Sequence, residues 1–488
     1  MQLIIRDLIY RSPLISISSL SRRAKMVGVH KCSGASGGGI FGMFMLETLM
    51  VVVLALVVMF LLLWGFRDFV EDTAATKLTN LFAGSRLWVP AATIALLLLV
   101  GGVLPGRLFA RIPVTQVFRR YTEGKKGWKR PLLFVQFAGV AFICGLMCMV
   151  MMQYHFVMSK DMGFSTERIA GTYLPFKTAK ECDNAYNFFR SLPYVENLSS
   201  AYGNPLEGYS GCFITGENGE SLFSARFDAC MSNYYDLMGM KLKEGRLPRD
   251  NSEVVVNETF VNLMKWGNDA VGRTVHTMGE TSTVTGVLKD FQINGFYAGP
   301  MPYISFPTKQ FNNGLHFLLK EPFAENLQRL TKDAAEAFPD KTIDFTSMEE
   351  GMNRMYNPVR VFRNATVVAG VVMFFIMLMG LLGYTADEVQ RRSKEIAIRK
   401  VNGAEASSIL SLLGRDVLWV AGPAVLVGVA ASWYVNSLWM EMFSAQASMS
   451  AVAYVLIGLI VLAVIMACVL WKSWRIANEN PVLSIKSE

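Results

Sequence analysis

The sequence predicts an α-helical integral membrane protein of about six transmembrane helices, carrying one α+β domain outside the membrane. Three observations lead there. The 488-residue chain is 52% hydrophobic and only 18% charged, a balance that points away from an ordinary soluble protein. Six apolar runs, near residues 46–66, 87–106, 132–152, 364–386, 416–436 and 451–471, are each long enough for the roughly 20 helical residues that cross a bilayer. Between the third and fourth runs lies a polar stretch, 153–363, long enough to fold around its own core.

Taken in order, residues 1–42 form a cytoplasmic N-terminal segment and 43–110 hold two transmembrane helices. A basic linker, 111–131, leads to a third helix at 132–152. The outer domain fills 153–363, and a fourth helix spans 364–386. Residues 387–413 return to the cytoplasm, 414–472 hold the last two helices, and 473–488 form a cytoplasmic tail. The opening string MQLIIRDLIYRSPLISISSL is a poor signal peptide, because Arg6, Asp7 and Arg11 interrupt its apolar run. It reads as an interfacial segment.

Basic residues set the orientation. Arg22, Arg23, Lys25 and Lys31 lie in the first segment, Arg107 to Arg130 around the linker, and Arg391 to Lys400 in the third basic segment. The alternate loop 437–450 contains no Lys or Arg. The positive-inside rule then places both termini in the cytoplasm and the large domain outside. The net charge of +8 is largely this topology signal. A nucleic-acid role is disfavoured, since the charge flanks apolar spans and is not gathered on one soluble domain.

Within the outer stretch, AGTYLPF, TAKECDNAYNFFRSL and VENLSSAY read strand, helix, strand over 170–202. The pattern recurs over 314–346. Two such units make ferredoxin-like βαβ halves, and 210–307, rich in short β runs, reads as a β-rich insertion. Of seven cysteines, Cys182, Cys212 and Cys230 lie in this domain, allowing at most one disulfide of undetermined pairing. His155, His276 and His316 stand alone, with no metal-ligand spacing. Glu253, Glu258 and Asp290 read as surface or capping residues, and Gln136, inside the third run, as a polar group available to a neighbouring helix.

One string suggests chemistry. Gly34-Ala35-Ser36-Gly37-Gly38 has the G-x-S-x-G spacing of a hydrolase nucleophile elbow. A second copy of its surroundings argues otherwise. Residues 22–49 and 391–418 align without a gap at 8 identities in 28 positions, among them Arg22/Arg391, Arg23/Arg392, Lys25/Lys394, Lys31/Lys400 and Gly34/Gly403. The second copy has Glu405, Ala406 and Ser407 where the first has Ser36, Gly37 and Gly38. What recurs is not a nucleophile but a basic segment before a membrane span. Further on, IPVTQVF (112–118) matches NPVLSIK (480–486). Each copy reads basic segment, span, short loop, span, Pro-Val tail. In the second copy Glu388/Arg392 and Glu395/Arg399 are spaced i,i+4 for helical ion pairs. No Walker A string occurs, so no nucleotide, metal or other cofactor site is predicted and the chain reads as no enzyme.

The string RRSKEIAIRKVNGA, the two spans after it and NPVLSIK resemble the FtsX-like permease family, membrane subunits of ABC transporters of the MacB type. YYDLMGMKLKEGR (234–246), EVVVNETFVNLMKWG (253–267), AVGRTV (270–275) and VTGVLKDF (284–291) are similar to the MacB-like periplasmic core domain. The resemblance implies a permease subunit of an exporter or mechanotransmission complex in the cell inner membrane. In such a complex a separate cytosolic ABC ATPase docks on the cytoplasmic segment and drives movement of the periplasmic domain. The implied ATPase-coupling residues are Arg391, Arg392, Lys394, Glu395, Arg399, Lys400 and Gly403, with Arg22, Arg23, Lys25, Lys31 and Gly34 as their counterparts. Membrane lipid and a second permease unit, from a homo- or heterodimer, are the other implied partners.

Against that pattern the second unit (132–488) is complete, whereas the first lacks its first span, outer domain and second span. A truncated or remnant permease is therefore one alternative. A membrane sensor or scaffold, whose outer domain binds an envelope or peptide signal, is another. Cargo is not legible.

Overall fold

The computed structural model describes residues 27–84, 87–111, 129–277, 279–308, 312–392, 395–396, 398–399, 402 and 406–477. Its principal helices are α1 (Gly37–Gly65), α2 (Trp88–Leu98), α3 (Lys129–Ser159), α4 (Ala179–Arg190), α5 (Phe323–Ala337), α6 (Met348–Met355), α7 (Asn357–Arg391), α8 (Ala406–Met440) and α9 (Ala451–Ala477). Among the described residues six helical stretches are long and apolar enough to cross a membrane: Gly37–Gly65, Trp88–Arg107, Arg130–Ser159, Asn357–Ala386, Leu410–Met440 and Ala451–Lys472. The chain divides into a helical unit (Met1–Met152, Val361–Trp439 and Ser448–Glu488) and an α+β unit (Gln153–Arg360 and Met440–Ala447).

In the helical unit α1 packs against the segment after α2, which continues through a π turn at Leu99–Val103 into Leu104–Arg111. The approach is close. A Cβ on Gly102 would lie 2.8 Å from Met45 Sδ, and one on Gly106 would lie 2.9 Å from the Phe41 ring. Four further helices, α3, α7, α8 and α9, share a core of Leu133, Phe137, Met377, Leu381, Val417, Ala421, Val425, Val461 and Ile465, among others. Half of the apolar window of α3 is buried, more than in any other span. Small residues permit this, because apolar burial drives little association inside lipid and backbone proximity matters instead. A Cβ on Gly428 of α8 would sit 2.2 Å from the Ala138 carbonyl oxygen of α3. Asn436 donates to the Gly145 carbonyl (3.2 Å) and the Tyr454 hydroxyl (2.9 Å), tying α8 to α3 and α9. Gln136 packs its amide against Gly380 of α7 and, buried, has no hydrogen-bond partner among the described residues.

The α+β unit contains β1 (Ile169–Tyr173), β2 (Val195–Ala201), β3 (Ser210–Thr215), β4 (Ser221–Cys230), β5 (Leu242–Gly245), β6 (Glu253–Asn257), β7 (Thr274–Thr277), β8 (Glu280–Leu288), β9 (Tyr303–Pro307), β10 (Gly314–Leu319) and β11 (Thr346–Ser347). The strands β11-β1-β10-β2 pair antiparallel in that order, and α4 follows β1 as α5 follows β10. This is the ferredoxin-like arrangement of two βαβ halves. Both helices cover one face, where Phe189, Leu330 and Ala334 bury against Leu198, Leu315 and Phe317. A capping box of Thr178 and Glu181 starts α4.

The inserted β region is more than a cluster of hairpins. β4-β3-β7-β8-β6-β9 pair in sequence, and β9 returns to β4 in parallel. The six strands thus close on themselves, which removes free sheet edges. Val254, Val256, Val275, Val284 and Ile304 fill the interior with Phe260. Asp290 accepts from Thr259 N (2.9 Å), the Thr259 hydroxyl (2.7 Å) and Asn257 Nδ2 (2.8 Å). It therefore caps the short helix Glu258–Leu263.

Among the described residues the strands of the two β parts pair at Ala201 with Cys230. Beside this pair lies the fully buried Asp228. Its Oδ1 accepts from the backbone N–H groups of Tyr202 (3.0 Å), Gly203 (3.2 Å) and Ala229 (2.8 Å), and Oδ2 accepts from the Tyr303 hydroxyl (3.2 Å). Burial outweighs these four donors and raises the carboxyl pKa to about 7. Cys182, Cys212 and Cys230 are all buried free thiols, so none of the possible disulfides is formed.

Candidate coupling segment

The repeated basic segment is the candidate site. Arg22, Arg23, Lys25, Lys394, Lys400 and Gly403 lie outside the described residues. Arg391 is the last residue of α7. Arg392 follows, with its guanidinium between two carboxylates. Nε donates to Glu388 Oε1 at 2.6 Å and Nη2 donates to Asp416 Oδ2 on α8. These three side chains are only 18%, 9% and 26% exposed. The spacing that predicts an i,i+4 pair is realised, but Asp416 adds a third member from the next helix. Arg392 thereby braces the end of α7 against α8, leaving little of its charge at the surface. Glu395 and Arg399 form the second pair at 2.7 Å, both nearly half exposed. Between Glu395 and Arg399, Ile396 is buried and Ile398 is exposed.

In the first copy the residues serve helix ends. Gly34 adopts φ +91° with open space around it. Its N–H bonds the Lys31 carbonyl (3.1 Å) and the Ala35 N–H bonds the His30 carbonyl (3.0 Å), a left-handed helix stop that favours glycine. Lys31 Nζ donates to the Ala110 carbonyl (2.9 Å), placing a cation at the end of the Leu104–Arg111 helix. Ser36 is the N-cap of α1, its hydroxyl accepting from Gly39 N at 3.1 Å. The G-x-S-x-G string is therefore a helix stop followed by a helix start. Its serine oxygen is engaged with backbone, as an N-cap requires.

Sequence reasoning misses one arrangement. The loop after α8 belongs to the α+β unit. Gln153 near the end of α3 donates to the Ala445 carbonyl (2.9 Å) and accepts from Ala447 N (2.8 Å). Ser444 bonds the carbonyls of Phe296 (3.0 Å) and Ala298 (2.6 Å), and Tyr297 stacks on Phe443 at 5.3 Å. Three distant chain segments are thus tied at one point. Nothing in the sequence of 437–450 hints at these contacts.

Comparison with known proteins gives a family match and structural likenesses. Residues 367–481 match the family model described as FtsX-like permease C-terminal. This region, which contains both the Arg392 brace and the last two spans, is similar to the C-terminal part of FtsX-like permeases. No curated protein matches the chain. Among solved structures, the periplasmic region of MacB from Actinobacillus actinomycetemcomitans is similar at 15% identity and a TM-score of 0.31, covering 41% of this chain and 98% of that one. The extracellular domain of the noncanonic ABC-type transporter YknZ from Gram-positive bacteria is similar at 14% identity and a TM-score of 0.28, covering 36% and 98%. A domain of a putative permease protein from Porphyromonas gingivalis is similar at 17% identity and a TM-score of 0.27, covering 38% and 92%.

Proposed function

We propose that this chain is the permease subunit of an ABC-type exporter or mechanotransmission complex. In this reading a separate cytosolic ABC ATPase docks on the segment around 391–403, and its hydrolysis cycle moves the α+β domain on the other side of the inner membrane. The observation that carries it is the family match over 367–481, which encloses that basic segment and the spans flanking it. The positive-inside pattern supports placing the segment and both termini in the cytoplasm.

The Arg392 brace refines how docking is read. The Arg392 guanidinium is engaged by Glu388 and Asp416, and in this reading Arg391, Lys394 and Lys400 are the residues that meet the partner. Dimerisation with another permease unit would present two platforms to an ATPase dimer. The test is stimulation of the partner ATPase by the reconstituted chain. Arg391→Glu with Lys394→Glu abolishes stimulation if the reading holds; full stimulation by that variant contradicts it.

A further inference from the structure

Where the ferredoxin-like sheet passes into the closed β ring, the α+β unit opens a cleft of about 760 Å³. Junctions between substructures are favoured places for ligand sites, and the volume lies within the usual range for them. Tyr173 and Tyr202 flank the cleft, each about half exposed at 50% and 51%.

The polar lining has a definite character. Among the described residues Glu207 and Arg226 are its one acid and one base, so these two charges offset and a strongly anionic or cationic ligand is not favoured. The main chain around the cleft is already bonded. Tyr202 N and Gly203 N go to Asp228, Gly208 N to the Asn204 carbonyl and Arg226 N to the Pro302 carbonyl. Recognition by strand addition is therefore closed off. The free capacity lies in side chains. The Asn294 amide and the Tyr202 hydroxyl have no hydrogen-bond partner among the described residues, and Arg226 has no carboxylate partner there.

A second cavity of about 360 Å³ adjoins the first and shares Tyr173 and Glu207 with it. His316 lines it, 2% exposed, and its Nδ1 is buried without a partner. A buried polar atom left unpaired is costly in a folded protein. A hydroxyl entering from the cleft would satisfy it.

Aromatic faces, offset charge, unpaired side-chain donors and acceptors, and an orphan nitrogen in an inner chamber describe one kind of ligand. A sugar ring has an apolar C–H face that stacks on tyrosine and a rim of hydroxyls that both donate and accept. We propose that this cleft binds a neutral saccharide, its ring against Tyr202 and Tyr173 and one hydroxyl directed toward His316. The proposal does not depend on the permease reading.

The test uses the full chain in lipid nanodiscs, because alkyl maltoside detergents carry a disaccharide headgroup that would occupy the site. Chitobiose, cellobiose and maltotriose are titrated by calorimetry, and chitin and cellulose beads are used for co-sedimentation. Binding of a free oligosaccharide, with Kd at or below about 1 mM, supports a soluble-sugar site. Retention by beads alone supports a site for a polymeric glycan. In either case Tyr202→Ala and Asn294→Gly, the latter suited to the positive φ at that position, each weaken binding tenfold or more. Phe213→Ala, on a surface residue outside the cleft lining, leaves it unchanged. A folded chain that binds none of these probes overturns the proposal, as does binding that Tyr202→Ala and Asn294→Gly do not alter.

Discussion

Replacing Arg392 with alanine removes the cation that bonds both Glu388 and Asp416. Glu388 is 8% exposed, and the guanidinium bonds it at 2.6 Å while reaching Asp416 on α8. Without Arg392 the two carboxylates are left in a partly desolvated corner with their main cation gone. Removing one member of a buried ion pair costs about 3 to 5 kcal/mol. The 18% exposure of Arg392 argues for the lower end, about 3 kcal/mol, more than a hundredfold in the local opening equilibrium. The loss falls where α7 meets α8, so it is read best by hydrogen-exchange mass spectrometry on peptides spanning 388–418, alongside the melting temperature of the purified chain. Neutralising both acids as well, with Glu388→Gln and Asp416→Asn, removes the uncompensated charge and recovers a large part of the protection. Unchanged exchange in Arg392→Ala would refute the reasoning, as would a triple variant no better protected than the single one.

Three further outcomes follow from the packing. Gly428→Leu drives a side chain into the Ala138 carbonyl, 2.2 Å from where its Cβ would begin, and reduces the monodisperse fraction on size exclusion sharply; Gly422→Ala, with nothing within 4 Å, does not. Asp228 keeps its proton in the folded chain up to about pH 7, whereas the unfolded carboxyl loses it near pH 4. The native state therefore holds more protons across that window, and stability falls by on the order of 4 kcal/mol as pH rises through it, then levels. Melting temperatures from pH 4 to 8 show this slope in the parent and its loss in Asp228→Asn. Ser36→Ala lowers the stability of the start of α1 by about 1 kcal/mol, seen as faster exchange over 36–41, and leaves any ester-cleaving activity of the preparation unchanged.

Much of the fold was legible because its signals are local. Apolar length marks the spans, and alternation with helix periodicity marks the two βαβ halves. The closed β ring was less legible, since closure depends on β9 pairing with β4 some 75 positions earlier in the chain (Phe227 with Ile304 is 77 apart), and neither strand encodes its partner. The Glu388–Arg392 and Glu395–Arg399 pairs could be read from spacing. Asp416 could not, because it joins the Glu388–Arg392 pair only when α8 folds back. Ser36 shows why a motif needs its context. The same oxygen that would be a nucleophile on a strand-to-helix elbow is a cap when glycine stops one helix and another starts. Gln153 and Ser444 carry no sequence signal, being ordinary polar residues whose role arises from where three segments converge.

The central claim is tested most directly by affinity purification of the tagged full chain from its native membranes in mild detergent, with mass spectrometry of what accompanies it. The account predicts a stoichiometric Walker-containing ATPase, lost from Arg391→Glu with Lys394→Glu while the chain itself remains folded. A stable, monodisperse chain that brings down no ATPase would contradict it.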